Sequence, residues 1–325
     1  MRLGLCFDGM RPLGEMVELA RAAEAAGIHS IWMAEHMGYR EAVGTCMALL
    51  AATQRLATIP VAVSPYARHV LIHAMAGATL AEAAPGRVQW CLGMGNPMAL
   101  GEMGIEPRRP VAAHREYISA LRALWTGEAP QRTGEAVTLR GARMNFNPPG
   151  PIPILIAAMG PKMLELAGEI ADGAVLSAGL SHAFMKHSLA AVAAGARRSG
   201  RRFEELDIVG FVITAVSTDR AEAVEAARGI LAYLFRSKLI AENIRFTGTR
   251  IDLEALADAA SRRDWDAARG HVTDEIVHAY AVAGTPDECR RRLGDYLDVG
   301  LTTPVLLTVG EDRNRRLALE IARGM

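Results

Sequence analysis

The sequence predicts a single (β/α)8 TIM barrel with insertions, an α/β fold. Three observations carry this. Eight short apolar runs are each followed by a segment whose apolar residues recur at helical spacing. Those runs are continuous rather than alternating, as parallel strands buried on both faces must be. No Pro/Gly/Ser-rich linker interrupts the 325 residues, so 1–325 is read as one domain. Eight strand–helix units favour closure into a barrel; an open doubly wound sheet is the other arrangement of such units.

Residues 3–7 form strand one. The helix over 13–26 carries apolar positions at Leu13, Met16, Val17, Leu19, Ala20 and Ala23, and Gly27 closes it. Strand two is 30–34 (SIWMA), with a helix over 42–56. Strand three is 58–64 (TIPVAVS), and the helix over 70–84 stops at Pro85-Gly86. Strand four is 87–93 (RVQWCLG); a polar loop and then a helix over 111–125 follow it. Strand five (153–157) leads to a helix over 161–170, strand six (173–177) to one over 183–199, and strand seven (207–217) to one over 220–235. Strand eight (303–309) and a helix over 313–322 close the series. Two stretches exceed the repeat. Residues 133–146 (TGEAVTLRGARMNF) read as a β-hairpin insertion, with turn chemistry at Arg140-Gly141. Residues 238–284 are charged, Ala-rich and periodic, and read as a helical insertion that serves as a lid or dimer element.

Composition narrows the function. Half the residues are apolar and Lys+Arg 36 balances Asp+Glu 36, which argues against a nucleic-acid scaffold or a membrane-surface binder. Cys6, Cys46, Cys91 and Cys289 are scattered and form no CxxC, so neither a disulfide framework nor a zinc ribbon is expected. The N-terminal apolar run is too short for a signal-peptide core, and a cytoplasmic protein with reduced thiols is expected.

In such barrels chemistry sits at the C-terminal ends of the strands. The candidates there are Asp8 after strand one, Glu35-His36 after strand two and Ser64 to His69 after strand three. Gly95-Asn96 follows strand four, Met159 to Lys162 strand five, and Ala178 to Leu180 strand six. Glu35-His36 is the strongest chemical pair, since a strand-end His can hydrogen-bond a ring or move a proton near neutral pH. Arg68 is suited to an anion or to a salt bridge. His69 and His73 stand four apart, but without a HExxH glutamate or third ligand no metal site is assigned. Gly93-Met94-Gly95-Asn96 lacks the third glycine of a dinucleotide fingerprint and does not run directly into a helix. It is read as a loop whose backbone approaches a phosphate or ring. Met159-Gly160-Pro161-Lys162 joins a strand to a helix: Pro161 suits the first helical position, and the free N–H groups with Lys162 make an anion site. Lys162 is one of only three lysines, with Lys186 and Lys238. Cys6 reads as a small core residue.

Five segments together resemble the bacterial-luciferase-like superfamily: SIWMAEH, VAVSPYARH, GRVQWCLGMGNPMALGEMGIEPRRPV, PILIAAMGPKMLELAGEIADGAVLSAG and AGTPDECRRRL. Within it they are similar to the deazaflavin-dependent branch related to methylenetetrahydromethanopterin reductase. The resemblance implies a luciferase-like barrel, often dimeric, so a homodimer is expected. It also implies coenzyme F420, an 8-hydroxy-5-deazaflavin, at the mouth, with hydride transfer at ring carbon five to or from a small organic substrate. Glu35 and His36 match an acidic–His pair beside the ring. Val61, Ala62 and Val63 match a strand-three bulge that cradles it, with a non-prolyl cis bond at Val61-Ala62. Gly95, Asn96, Gly160, Pro161, Lys162 and Met163 match positions near the ribityl phosphate and tail, and Met159, Ala178 and Gly179 complete the cofactor set. The methanopterin reductases end strand one with a glutamate; Cys6 stands there in this chain, with Asp8 two residues on. Asp8 is therefore expected in catalysis, and Arg68 and Cys6 on the substrate. The alternatives are an FMN-dependent monooxygenase, a flavin-independent methylenetetrahydrofolate reductase-like enzyme, and a flavin-binding carrier without turnover.

Overall fold

The computed structural model describes residues 2–134, 136–177, 179–237, 240 and 242–323. Eight parallel strands run β1 (Gly4–Phe7), β2 (Ser30–Ala34), β3 (Ala57–Val61), β4 (Trp90–Leu92), β7 (Ile154–Ala158), β8 (Gly173–Leu176), β9 (Asp207–Val216) and β11 (Thr303–Val309). Their order is β3-β2-β1-β11-β9-β8-β7-β4. Two isolated parallel bridges, Thr58 with Val88 and Val63 with Leu92, join β3 to β4 and close the ring. The continuous apolar runs are explained by this: one set of side chains fills the barrel and the other packs under the helices. Trp32, Ile59, Val61, Cys91, Leu155, Val175, Val209, Phe211 and Val305 form the inner cluster. Most of the remaining core lies between strands and helices.

The helices alternate with the strands: α1 (Leu13–Ala25), α2 (Ala42–Ala52), α3 (Val70–Ala83), α4 (Pro97–Glu102), α5 (Pro110–Trp125), α6 (Pro161–Ile170), α7 (His182–Arg198) and α8 (Arg220–Phe235). Helices α9 (Leu253–Ser261), α10 (Trp265–Gly270), α11 (Asp274–Tyr280), α12 (Pro286–Val299) and α13 (Asp312–Ala322) complete the described set. Helices α6 and α7 cross backbone to backbone. A Cβ at Gly168 would lie 1.9 Å from the Val192 carbonyl oxygen, and one at Gly195 would lie 1.9 Å from that of Glu165. Only glycine permits that approach, and an Arg198–Glu165 ion pair at 2.8 Å spans the same crossing.

Four expectations change. The insertion expected over 238–284 is helical through α9–α11, but Ala281–Gly284 is a strand, β10, paired with residues 213–216 of β9. The cause is the length of β9. Its edge facing β8 is covered only from Asp207 to Gly210, and β10 continues the ladder beyond. Lys238, the first residue of that insertion, lies outside the described residues. The hairpin is also shorter than expected: β5 (Gln131–Thr133) pairs with β6 (Thr138–Arg140). Its turn lies between Gly134 and Val137, whereas Gly141 leaves the hairpin and donates to the Pro130 carbonyl. Gly95-Asn96 does open directly into a helix, because Asn96 Oδ1 accepts from the Met98 and Ala99 N–H groups and Pro97 sits in the first turn of α4.

The fourth change is at the third strand. Every peptide bond among the described residues is trans, so the cis bond implied at Val61-Ala62 is not present. Ala62 instead has φ 59°, a left-handed conformation that costs an alanine roughly 1–2 kcal/mol. It forms a bulge: β3 stops at Val61, and pairing resumes at Val63 with Leu92.

Candidate active site

The bulge and the end of β2 meet at the mouth. The Glu35 N–H still donates to the Val61 carbonyl at 3.0 Å, which fixes the Glu35 backbone against β3. Its side chain is only 6% exposed and turns to Arg68: Glu35 Oε1 accepts from Arg68 Nη2 at 2.9 Å. The same Arg68 nitrogen reaches Glu41 Oε1 at 2.6 Å. Glu41 is already the N-cap of α2, accepting from the Val43 and Gly44 N–H groups. One arginine therefore serves two carboxylates that shift in opposite directions. Burial pushes the Glu35 carboxyl up, Arg68 opposes this, and Glu41 adds to it. Burial also works to raise Glu41, but the Gly44 N–H, Arg68 and Val43 N–H together hold it below its ordinary value. Glu35 Oε2 is buried with no hydrogen-bond partner among the described residues, although the Ser64 N–H lies close enough to the carboxylate to oppose its upward shift. A buried carboxylate oxygen without a full donor is costly, and Oε2 keeps the capacity to accept a hydrogen bond.

His36 is exposed at the rim, and its Nδ1 lies 2.9 Å from the Asp8 carbonyl oxygen. A carbonyl only accepts, so Nδ1 carries the proton and Nε2 is left for a ligand. The Asp8 carboxylate accepts from the Met10 N–H at 3.0 Å through Oδ1, and its other oxygen is uncommitted among the described residues. Cys6 faces the barrel with the inner cluster; burial first, then Asp8, pushes its thiol up, which removes it as a nucleophile.

The expected cofactor residues divide. Val61 and Val63 are buried, on opposite sides of the barrel wall, because the bulge shifts the alternation; only Ala62 of the three is partly exposed. Gly93, just past the end of β4, faces it, and a Cβ there would lie 2.7 Å from that of Ala62. Gly95 takes φ 87° and packs against Ser64, whose hydroxyl donates to the Met94 carbonyl at 2.8 Å. Gly160 is the N-cap of α6, with Pro161 in the first turn and no side-chain cap. Gly160, Pro161 and Lys162 are exposed, Met159 and Met163 half-buried, and Lys162 has no ion pair among the described residues. Gly179 has φ 82° and is covered by Ile240 from the insertion. Ala178 lies outside the described residues.

Arg68, expected on the substrate, already holds Glu35 and Glu41 through its Nη2. Sequence reading missed Glu41; the only signal was an acid directly before an uncharged helix. It also separated His69 from His73 too little. His69 caps α3. His73 is fully buried, 2.7 Å from the Tyr117 hydroxyl, and burial holds its pKa down at about 3, so it stays neutral. Two further clefts lie away from the mouth. One of about 470 Å3 sits among α8, β10, α11 and α12; one of about 890 Å3 lies at the N-terminal end of β7.

A parallel eight-stranded barrel with an acid, a histidine and a bulged strand at its C-terminal mouth belongs to the barrel proteins that act from that face. Residues 5–303 match the luciferase-like monooxygenase family, and the chain belongs to it. It is 31% identical to 5,10-methylenetetrahydromethanopterin reductase of Methanolobus tindarius, over 98% of each chain. It is 30% identical to the F420-dependent glucose-6-phosphate dehydrogenase of Beutenbergia cavernae, covering 86% of this chain and 83% of that one. Its fold is that of the coenzyme F420-dependent tetrahydromethanopterin reductase of Methanopyrus kandleri, with TM-score 0.87 at 23% identity over 98% and 96% of the two chains.

Proposed function

We propose that this protein is an oxidoreductase that transfers a hydride between coenzyme F420 and a small organic substrate. The observation that carries the reading is the convergence of Glu35, His36 and the Ala62 bulge at one mouth, in a chain whose relatives include F420-dependent enzymes. The residues fit the group. Glu35 Oε2 is an orphaned buried oxygen, Gly93 leaves the bulge uncovered, and α6 begins without a cap beside Lys162. Bound there, the deazaflavin supplies a two-electron hydride carrier. Ala62, flanked by Val61 and Val63, supports the ring. Gly95 and Asn96, with the α6 N-terminus from Met159 to Met163, hold its anionic portion, and Gly179 closes the side under the insertion. His36 Nε2 hydrogen-bonds the ring or the reacting oxygen or nitrogen. Glu35 keeps its proton to higher pH than an ordinary carboxyl and passes it at the mouth. Arg68 and Glu41 position that carboxyl. Asp8 anchors His36 through its carbonyl and offers its free carboxylate oxygen to substrate.

The test is binding of F420 and of FMN side by side, followed spectroscopically, in the wild type and in His36→Ala. F420 alone binds the wild type, and His36→Ala weakens it about tenfold or more, the worth of one good hydrogen bond in a dry site. Preference for FMN, or unchanged affinity in the variant, would sink the reading. A panel of a methylene-pterin, a sugar phosphate and simple alcohols then identifies the substrate.

The enzyme works as a homodimer in the reducing cytoplasm, where its four free thiols persist. The second copy covers α2 and α3. Between 42 and 52 and between 70 and 81 there is no Asp, Glu, Lys or Arg, yet Ile72 and Met75 are 50% and 45% exposed. Replacing both by Glu yields a folded monomer in analytical ultracentrifugation. A double variant sedimenting like the wild type would refute this interface.

A further inference from the structure

The rim across the barrel from α6 carries a second group of cations that the reading above does not use. Strands β1 and β11 pair, so the loop after β1 and the start of α13 are neighbours. Arg11 ion-pairs there with Asp312 in the first turn of α13, and with Glu15 at 3.6 Å. Its Nε is buried and has no hydrogen-bond partner among the described residues. Arg315 lies one turn beyond Asp312 and is half-buried. Its Nε donates to the Gly310 carbonyl at 3.3 Å, while its two terminal nitrogens have no acceptor among the described residues. Arg40 closes the ring by donating to the Met10 carbonyl at 2.9 Å. The loop these arginines surround is the one that holds Asp8, and through it His36.

A guanidinium withdrawn from water without a carboxylate in contact is unfavourable. Burial, then repulsion by Arg11, accordingly holds Arg315 below its ordinary pKa, with Asp8 and Asp312 only partly compensating. Arg11 touches its own carboxylates; no carboxylate among the described residues is in contact with Arg315. We infer that Arg315, with Arg11 beside it, binds an anionic group of the substrate, a phosphate or a carboxylate, at the β1–β11 side of the mouth. The inference deepens the proposed function and rests on it, since it assumes that the substrate enters the mouth holding Asp8 and His36. Both groups match the planar fork of a guanidinium, and both would relieve the repulsion between the two arginines. The cofactor's own anionic portion is held across the barrel at α6, so the two anions do not compete.

The test uses inorganic phosphate and, separately, malonate. Each is titrated calorimetrically into Lys162→Gln, which weakens the α6 site, and into Lys162→Gln/Arg315→Gln, at ionic strength fixed with NaCl. Lys162→Gln binds one anion per chain, and adding Arg315→Gln weakens that binding at least about tenfold, as loss of a charge-assisted pair should. The tighter of the two probes identifies the group. Arg315→Lys in the same background restores part of the affinity, since the charge returns without the fork, which a folding defect would not allow. F420 affinity is unchanged in Arg315→Gln alone. Equal anion affinity with and without Arg315, or no binding of either anion to Lys162→Gln, overturns the inference. Failure of the wild type to bind F420 would instead remove the proposed function, leaving the anion comparison readable by itself.

Discussion

Gly195→Val abolishes cooperative folding at 37 °C, or lowers stability by more than the roughly 3 kcal/mol typical of overpacked sites. The reason lies in what the new side chain meets. At Gly195 the obstacle is the Glu165 carbonyl, 1.9 Å from a Cβ, with the Glu165 Cα 3.0 Å away. No rotamer relieves a backbone clash, so α6 and α7 must separate. Separation uncovers Leu164, Ala167, Val192 and Ala196, all buried at present. A domain has only about 5–15 kcal/mol to lose. Gly168→Val meets the reverse side of the same crossing and behaves alike. The control is Gly294→Ala in α12, where a Cβ meets nothing within 4 Å; it is neutral or stabilises by about 0.4–1 kcal/mol. Urea denaturation followed by circular dichroism measures all three. Wild-type stability in Gly195→Val would show that the crossing is looser than described. Because α6 supplies the proposed anion site at its N-terminus, even a folded variant should bind F420 weakly.

Glu35→Gln lowers the turnover number by roughly 10²–10⁴, the usual contribution of a positioned acid or base. The amide keeps the volume and can still accept from Arg68, so the loss is chemical and folding is retained. The pH dependence gives an independent check. Burial raises the Glu35 pKa above 4.5, so the carboxyl holds its proton past the ordinary range. Turnover that uses it as an acid falls as pH rises through the raised value; turnover that uses it as a base rises there. Arg68 opposes the shift, so Arg68→Met removes the only compensating cation in contact and moves that limb to higher pH. Stopped-flow absorbance of the deazaflavin, with the first panel substrate the wild type accepts, measures both effects. A near-wild-type rate in Glu35→Gln, or a limb that stays in place in Arg68→Met, would remove Glu35 from the chemistry. Stability runs the same way: a buried acid with a raised pKa destabilises the fold once ionised, so its contribution worsens as pH climbs from 4.5 through the raised value.

The eight barrel strands were legible because burial on both faces leaves an unbroken apolar run, and their ends pointed at the mouth residues. The helix over 161–170 was read to the residue, since Pro161 marks its start. What was not legible depends on contacts between distant segments. AVAG at 281–284 is a strand only because β9 is ten residues long and outruns β8. The side of the wall that Val63 faces depends on a bulge one residue earlier, which resets the period of two. Arg68 reads equally well as a substrate clamp until Glu41, 27 residues away, is seen beside it. Arg315 went unremarked for the same reason: that no carboxylate among the described residues touches it is visible only once the fold brings Arg11 near.

The shared arginine ties a surface helix to the acidity of the mouth. Glu41 holds the first turn of α2 with one carboxylate and Arg68 with the same group. Loosening that turn, by substitution at Val43 or Gly44, changes how Arg68 divides its charge between Glu41 and Glu35. The working pH of the enzyme is thus adjustable from outside the pocket. A lineage of such enzymes has a route to new pH optima that leaves every residue touching cofactor or substrate as it is.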